Sequence, residues 1–125
     1  MKVFLDTHVL LWLYQRNQNL LSQKALNVID NSDLFLPAFA HLEIQFLYEI
    51  GKIKAMPNQI IEDLKENIDL ISLHINVSEL VQLACKFTWT RDPFDRLIVA
   101  ETELNNSYLL TRDEKIRKNF VNTVW

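Results

Sequence analysis

Four carboxylates stand where acids can do chemistry: Asp6, Glu43, Asp95 and Asp113. Asp6 directly follows the apolar run Val3-Phe4-Leu5, and Asp113 lies just beyond Tyr108-Leu109-Leu110. Asp95 closes the turn Asp92-Pro93-Phe94-Asp95, and Glu43 sits among Leu42, Phe46 and Leu47. Singly, each has a plain structural role. Asp6 can cap a helix, Asp92 to Asp95 suits an N-cap to N3 series, Thr111-Arg112-Asp113-Glu114 is a capping-box pattern, and Glu43 can pair with a base. Together they do more. Carboxylates about 6 Å apart repel by roughly 3 kcal/mol per pair at an effective dielectric of 20. A cluster of them therefore binds cations or takes up protons. With no Cys or His pair nearby, an all-oxygen set favours a hard ion, Mg²⁺ or Mn²⁺, over zinc.

The elements around these acids determine whether they meet. Val3-Phe4-Leu5, Leu34-Phe35-Leu36, Leu70-Ile71-Ser72-Leu73 and Tyr108-Leu109-Leu110 read as short strands, with a last one near 121–124. Helical patterns alternate with them: about 8–16, 22–30 with Ser22 as N-cap, 38–50 ending at Gly51, 57–67 with Pro57 at N1, 76–86 opened by Asn76 and Glu79, 92–105, and 114–118. In the 38–50 helix, Leu42, Phe46, Leu47 and Ile50 form the expected buried stripe, which turns the neighbouring Glu43 inward. Strands alternating with helices predict parallel βαβ units. The expected fold is a three-layer α/β/α sandwich on a mainly parallel sheet of about five strands, forming one domain over 1–125. In such a sheet ligands bind outside the carboxyl ends of the strands. Asp6, Asp95 and Asp113 belong to that edge, and Glu43, about 8 Å into its helix, reaches back toward it.

Composition narrows the classes. The chain has 125 residues and a net charge of −3, with one glycine and one cysteine. It is long enough to bury about two-thirds of its unfolded surface without a disulfide or structural metal. One glycine leaves no Gly-rich phosphate cradle and no nucleophile elbow. One cysteine, Cys85, reads as a small buried hydrophobe, and with His8, His41 and His74 it makes no zinc or haem spacing. No apolar run is long enough to span a membrane, and no signal peptide is legible, so a cytoplasmic location is expected. The 13 basic residues against 16 acidic ones argue against general phosphate-backbone binding. Removing four acids to one site leaves the remainder nearly neutral. Trp12, Trp89 and Phe94 read as core or dimer contacts rather than base-stacking platforms.

VFLDTHVLLWL, HLEI, RDPFDRLIVAETE and LLTRDEKI together resemble the PIN-domain family, and within it the bacterial VapC-type toxins. The resemblance spans essentially the whole chain, and the D-P-F-D-R-L-I-x-A block is its most specific part. It implies a metal-dependent ribonuclease, a homodimer, and a cognate antitoxin as partner of a toxin in a type II toxin–antitoxin pair. The family's four acids correspond to Asp6, Glu43, Asp95 and Asp113. Thr111 stands at a small polar position that supports the site, Thr7 is a further candidate support beside Asp6, and Asp92 reads as a helix cap and candidate support rather than a ligand. Arg91, Arg96 and Arg112, with Lys115, Arg117 and Lys118, are candidate contacts to RNA phosphates.

The expected reaction is Mg²⁺-dependent hydrolysis of a phosphodiester in single-stranded or loop RNA. Two enzymes of the same fold class fit less well: a receiver-type phosphoacceptor needs an acid after strand three, where Leu73-His74-Ile75-Asn76 stands, and a haloacid-dehalogenase-like phosphatase needs Asp-x-Asp where Asp6-Thr7-His8 stands. The alternative from another class is a non-catalytic PIN scaffold that only binds protein or RNA.

Overall fold

The computed structural model describes residues 1–125. In chain order the elements are β1 (Lys2–Leu5), α1 (Thr7–Tyr14), α2 (Gln23–Asn31), β2 (Asp33–Leu36), α3 (Ala38–Glu49), α4 (Pro57–Ile68), β3 (Ile71–Ser72), α5 (Val77–Ala84), α6 (Pro93–Leu104), β4 (Tyr108–Leu110), α7 (Glu114–Asn119) and β5 (Thr123–Val124). A 3-10 turn at Gln18–Leu20 is the one element without a counterpart in the sequence reading.

The five strands form one all-parallel sheet in the order β3-β2-β1-β4-β5. β1 is central, and the chain builds outward from it in both directions. The order therefore reverses between β1 and β4, the kind of switch point at which parallel sheets open a crevice. Helices cover the sheet, with α5 on α6, α6 on α3 and α1 on α4. That cover explains the strand sequences: Val3, Phe4, Leu5, Leu34, Phe35, Leu36, Leu109 and Leu110 are all buried, as continuous apolar runs must be when both faces are packed. Phe4 and Phe35 stack across β1 and β2 at 5.3 Å. No helix is long and apolar enough to cross a membrane.

Local signals set most boundaries. Ser22 accepts from the Ala25 N–H and Asn76 from the Glu79 N–H, each satisfying a donor in a first helical turn. Gly51, with φ of +78°, follows the α3 C-cap in the left-handed region, where a Cβ is disfavoured. Arg16 and Asp69 take the same region after α1 and α4.

Three expectations change. The buried stripe of α3 is Ala40 and Ile44, with Leu47 packed beside them, whereas Leu42, Phe46 and Ile50 are 51%, 45% and 51% exposed. Both stripes are apolar at helical spacing. The one carrying the small Ala40 packs inward, and Glu43, three residues beyond Ala40, lies at its border. The third strand contracts to Ile71–Ser72, both exposed, because it is a sheet edge with one neighbour. Cys85 is exposed at the end of α5 rather than buried, since Leu80 and Ala84 already form the face that meets α6.

Candidate functional site

The register of the central strands builds the site's floor. Leu5 pairs with Leu110, so the next residues, Asp6 and Thr111, emerge side by side at the carboxyl edge. The Asp6 N–H donates to the Leu110 carbonyl at 3.0 Å, extending the ladder by one bond. Asp6 then caps α1 by accepting from the Thr7 N–H at 2.8 Å, while its other oxygen accepts from Thr111 Oγ1 at 2.6 Å. The same Thr111 oxygen accepts from the Asp113 N–H at 3.0 Å, and Asp113 caps α7 through the Ile116 N–H. On the other side, Thr7 Oγ1 donates to Glu43 Oε1 at 2.5 Å. Two fully buried threonines thus join three of the acids: Thr7 links Asp6 to Glu43, and Thr111 links Asp6 to Asp113. Hydroxyls suit this task, since each can donate to a carboxylate and still accept from a backbone N–H.

α6 brings the remaining acids. Asp92 is its N-cap, with Oδ1 accepting from the N–H groups of Phe94 and Asp95. Asp95, in the first turn, makes no hydrogen bond through its carboxylate. An open pocket of about 390 Å³ is lined by Asp6, Glu43, Asp92, Asp95, Asp113 and Glu114, together with His8, Val9, Trp12 and Arg112. All four expected carboxylates therefore face one space. Asp92, expected as a cap, is both a cap and part of the wall.

Burial and mutual repulsion show in the protonation of these groups. Burial pushes the Asp95 carboxyl up to about 8, helped by the charges of Asp92, Asp6, Asp113 and Glu43. Asp6 and Glu43 are also raised, mainly by burial. The bonds from Thr111 and Thr7 to Asp6, and from Thr7 to Glu43, oppose that shift by stabilising the charged forms. The charge of His8 opposes it weakly at Asp6 and Glu43, but no cationic side chain forms an ion pair with any acid of the cluster. No three of its groups are drawn together into a finished ligand set. The donors nonetheless fit a hard divalent cation. They are all oxygens, Asp95 has no competing donor, and Mg²⁺ keeps several waters and binds through as few as one or two carboxylates, so a closed cage is unnecessary. Asp6, Glu43, Asp95 and Asp113 are the residues that could hold it.

The expected basic contacts separate. Arg112 lines the pocket, its guanidinium 5.9 Å from the Trp12 ring centre. Arg91 donates to the Thr88 carbonyl and Arg96 to the Thr90 carbonyl, so both brace the loop ahead of α6, outside the pocket wall. Lys115, Arg117 and Lys118, with Glu114, line an adjoining groove.

Four residues of this region were missed in the sequence. Glu114 and His8 line the pocket, and Trp12, which packs against the core as expected, is also part of the pocket wall. Their signal was their place on helices beginning at the same edge, His8 and Trp12 one turn apart on α1. The fourth is Glu101, 2% exposed, whose carboxylate accepts from the Ala38 N–H at 3.1 and 3.3 Å. Pro37 provides no side-chain cap for α3, and Glu101 supplies it from α6, fixing the helix that carries Glu43. Its signal was an acid inside the apolar segment Leu97-Ile98-Val99-Ala100 and Thr102.

No curated protein matches the chain. Among solved structures, the crystal structure of VapBC2 from Rickettsia felis bound to a DNA fragment from their promoter is similar over 94% of this chain and 92% of that one, with a TM-score of 0.66 and 15% identity. At that identity the likeness concerns the fold, and the same parallel architecture accounts for it. The PIN domain model matches residues 3–119, a span that carries every carboxylate of the pocket, and the chain belongs to the PIN-domain family.

Proposed function

We propose that this protein is a Mg²⁺-dependent ribonuclease and the toxin of a type II toxin–antitoxin pair. The observation that carries the reading is the convergence of Asp6, Glu43, Asp95 and Asp113 on one open pocket in which none of them is ion-paired. Asp6, Glu43, Asp95 and Asp113 would hold Mg²⁺ there, which would supply charge neutralisation at the scissile phosphate and a more acidic attacking water.

The chain's own groups do the remainder. Asp6 is held in one orientation by the Thr7 N–H and the Thr111 hydroxyl. Asp113 commits Oδ1 to α7 and leaves Oδ2 uncommitted. Asp95 carries a proton near neutral pH in the absence of a cation and releases it when one binds. Glu43 commits Oε1 to Thr7, so Oε2 is available to orient a water for in-line attack, leaving a 5′-phosphate and a 3′-hydroxyl. Arg112 is placed to meet a substrate phosphate.

An antitoxin and a homodimer belong to the same proposal. The VapBC2 likeness favours the antitoxin, and Leu42, Phe46 and Ile50 on α3 form an exposed apolar stripe that a protein partner can cover.

The test is cleavage of mixed RNA by the purified protein. Activity is expected with Mg²⁺, is lost in EDTA, and is lost in Asp6→Asn and Asp95→Asn while thermal melting stays cooperative. Cleavage that survives EDTA or both substitutions overturns the metal site. A protein that binds RNA tightly in Mg²⁺ without cutting it is instead a PIN scaffold used for binding.

A further inference from the structure

The acid pocket has one wall of a different character. Of its ten lining residues only Val9 and Trp12 are hydrophobic. Trp12 lies within an aromatic group, with His8 and Trp125 each at 6.1 Å between ring centres. It packs against the core and is half-buried. Trp12 also lines a second groove of about 220 Å³, which continues past it toward Leu13, Leu21 and Leu26. The apolar surface therefore extends out of the acid pocket.

Arg112 sits on the same wall and is unusually free. Its pocket contains six carboxylates, yet the chain's single salt bridge is Arg16 to Asp63, at the far end of α1. Arg112 makes no hydrogen bond and rests over the Trp12 indole instead. An arginine held on an aromatic face keeps all its N–H donors for an anion, and phosphodiesters take such donors in pairs. An indole at the rim suits an unstacked base, because every base has a π-face. The two side chains are adjacent, as base and phosphate are in one nucleotide.

We infer that Trp12 and Arg112 form a nucleotide subsite beside the carboxylates, with the indole stacking the base next to the scissile phosphate and the guanidinium holding that nucleotide's phosphodiester. The subsite rests on the ribonuclease reading and deepens it. It selects single strands, since a base within a duplex has both faces covered.

The experiment separates binding from cleavage. Fluorescence anisotropy measures the affinity of Asp95→Asn protein, in Mg²⁺, for a labelled single-stranded octaribonucleotide, for the same octamer with one abasic position stepped along it, and for its duplex. Trp12→Leu, made in that background, weakens single-strand binding about 10-fold, the scale of losing one stacked base. It no longer distinguishes the abasic octamers from the intact one, and it leaves duplex binding unchanged. Trp12→Phe keeps a ring and stays within about threefold of the parent. Arg112→Gln weakens every strand and lowers the slope of log affinity against log salt by about 1. The subsite is overturned if folded Trp12→Leu protein, judged by its melting temperature, binds all strands as the parent does. It is equally overturned if Trp12→Phe loses as much as Trp12→Leu. In those outcomes wild-type cleavage with Mg²⁺ persists, so the ribonuclease reading survives. Absence of both binding and wild-type cleavage removes the two together.

Discussion

Both edges of the parallel sheet carry acids around a pocket, and the two edges differ in what the acids are doing. At the amino edge, Asp30, Asp33 and Asp69 line a pocket of about 330 Å³ where β2 and β3 begin. All three are exposed, and none of their carboxylates accepts a hydrogen bond. At the carboxyl edge, Asp6 is buried, Glu43 and Asp95 are half-buried, and Asp6, Glu43, Asp92 and Asp113 are held by hydroxyl or backbone N–H groups. A count of acids does not separate the two pockets. What separates them is that Asp6, Glu43 and Asp95 are withdrawn from solvent and four of the acids at the carboxyl edge are oriented by hydrogen bonds, which is true of none at the amino edge. Desolvation without compensation costs free energy, and a bound cation recovers it.

The sharpest way to break this contrast is to neutralise one acid at each edge. Asp6→Asn should lower Mg²⁺-dependent RNA cleavage by more than the roughly 10- to 100-fold typical of losing an outer-shell partner, whereas Asp33→Asn should leave the rate unchanged. Equal losses at both edges in a cleavage assay would show that general acidity matters rather than the oriented set.

Next in size is the support beneath the acids. Thr111→Val retains shape but removes the hydroxyl that donates to Asp6 and accepts from the Asp113 N–H. Titration calorimetry with Mg²⁺ should show affinity about 10- to 100-fold weaker, with the fold intact by circular dichroism. Unchanged affinity would mean that the hydroxyl only fills space.

The third effect is on stability against pH. The Asp95 carboxyl rises from 3.8 to about 8 on folding, so between those values the folded, metal-free chain holds a proton that the unfolded chain has lost. The stability this contributes is complete below 3.8 and is lost as pH rises through about 8. Asp6 and Glu43 act with the same sign. In EDTA the melting temperature should fall between pH 5 and pH 8, and Mg²⁺ should restore more of it at pH 8 than at pH 5. Asp95→Asn should flatten the profile, on the order of 1–3 kcal/mol after allowing for screening of a half-buried group. A pH-independent melting temperature in EDTA would contradict the shift.

The smallest concerns Glu101, a buried acid that does have a partner. Glu101→Ala removes the cap of α3 and should destabilise by about 1 kcal/mol in denaturant melts, while Glu101→Gln keeps an acceptor and loses less. Equal losses would make the charge, not the acceptor, the stabilising feature.

Much of this was legible along the chain. Asp6, Asp92, Asp95 and Asp113 sit immediately beside strands or helix starts, where local signals operate: Pro93 places α6, Asp6, Asp92 and Asp113 cap α1, α6 and α7, and Asp95 lies in the first turn of α6. Glu43 was found for a partly mistaken reason. Its expected neighbours Leu42, Phe46 and Ile50 face solvent, and it turns inward with Ala40 and Ile44 instead. Periodicity shows that a helix has an apolar stripe, but where two stripes compete, only packing against the sheet decides between them.

The sequence by itself determined the alternation of strands and helices, the all-oxygen character of the acids and the edge on which most of them fall, because these follow from neighbours within a few residues. Tertiary structure decided the order β3-β2-β1-β4-β5, the pairing of Asp6 with Thr111 across 105 residues, the capping of α3 by Glu101 from 63 residues away, and the place of Trp12 and Arg112 in one wall. Each joins groups far apart in the chain. Such contacts form only when the whole core closes, and no local pattern records them.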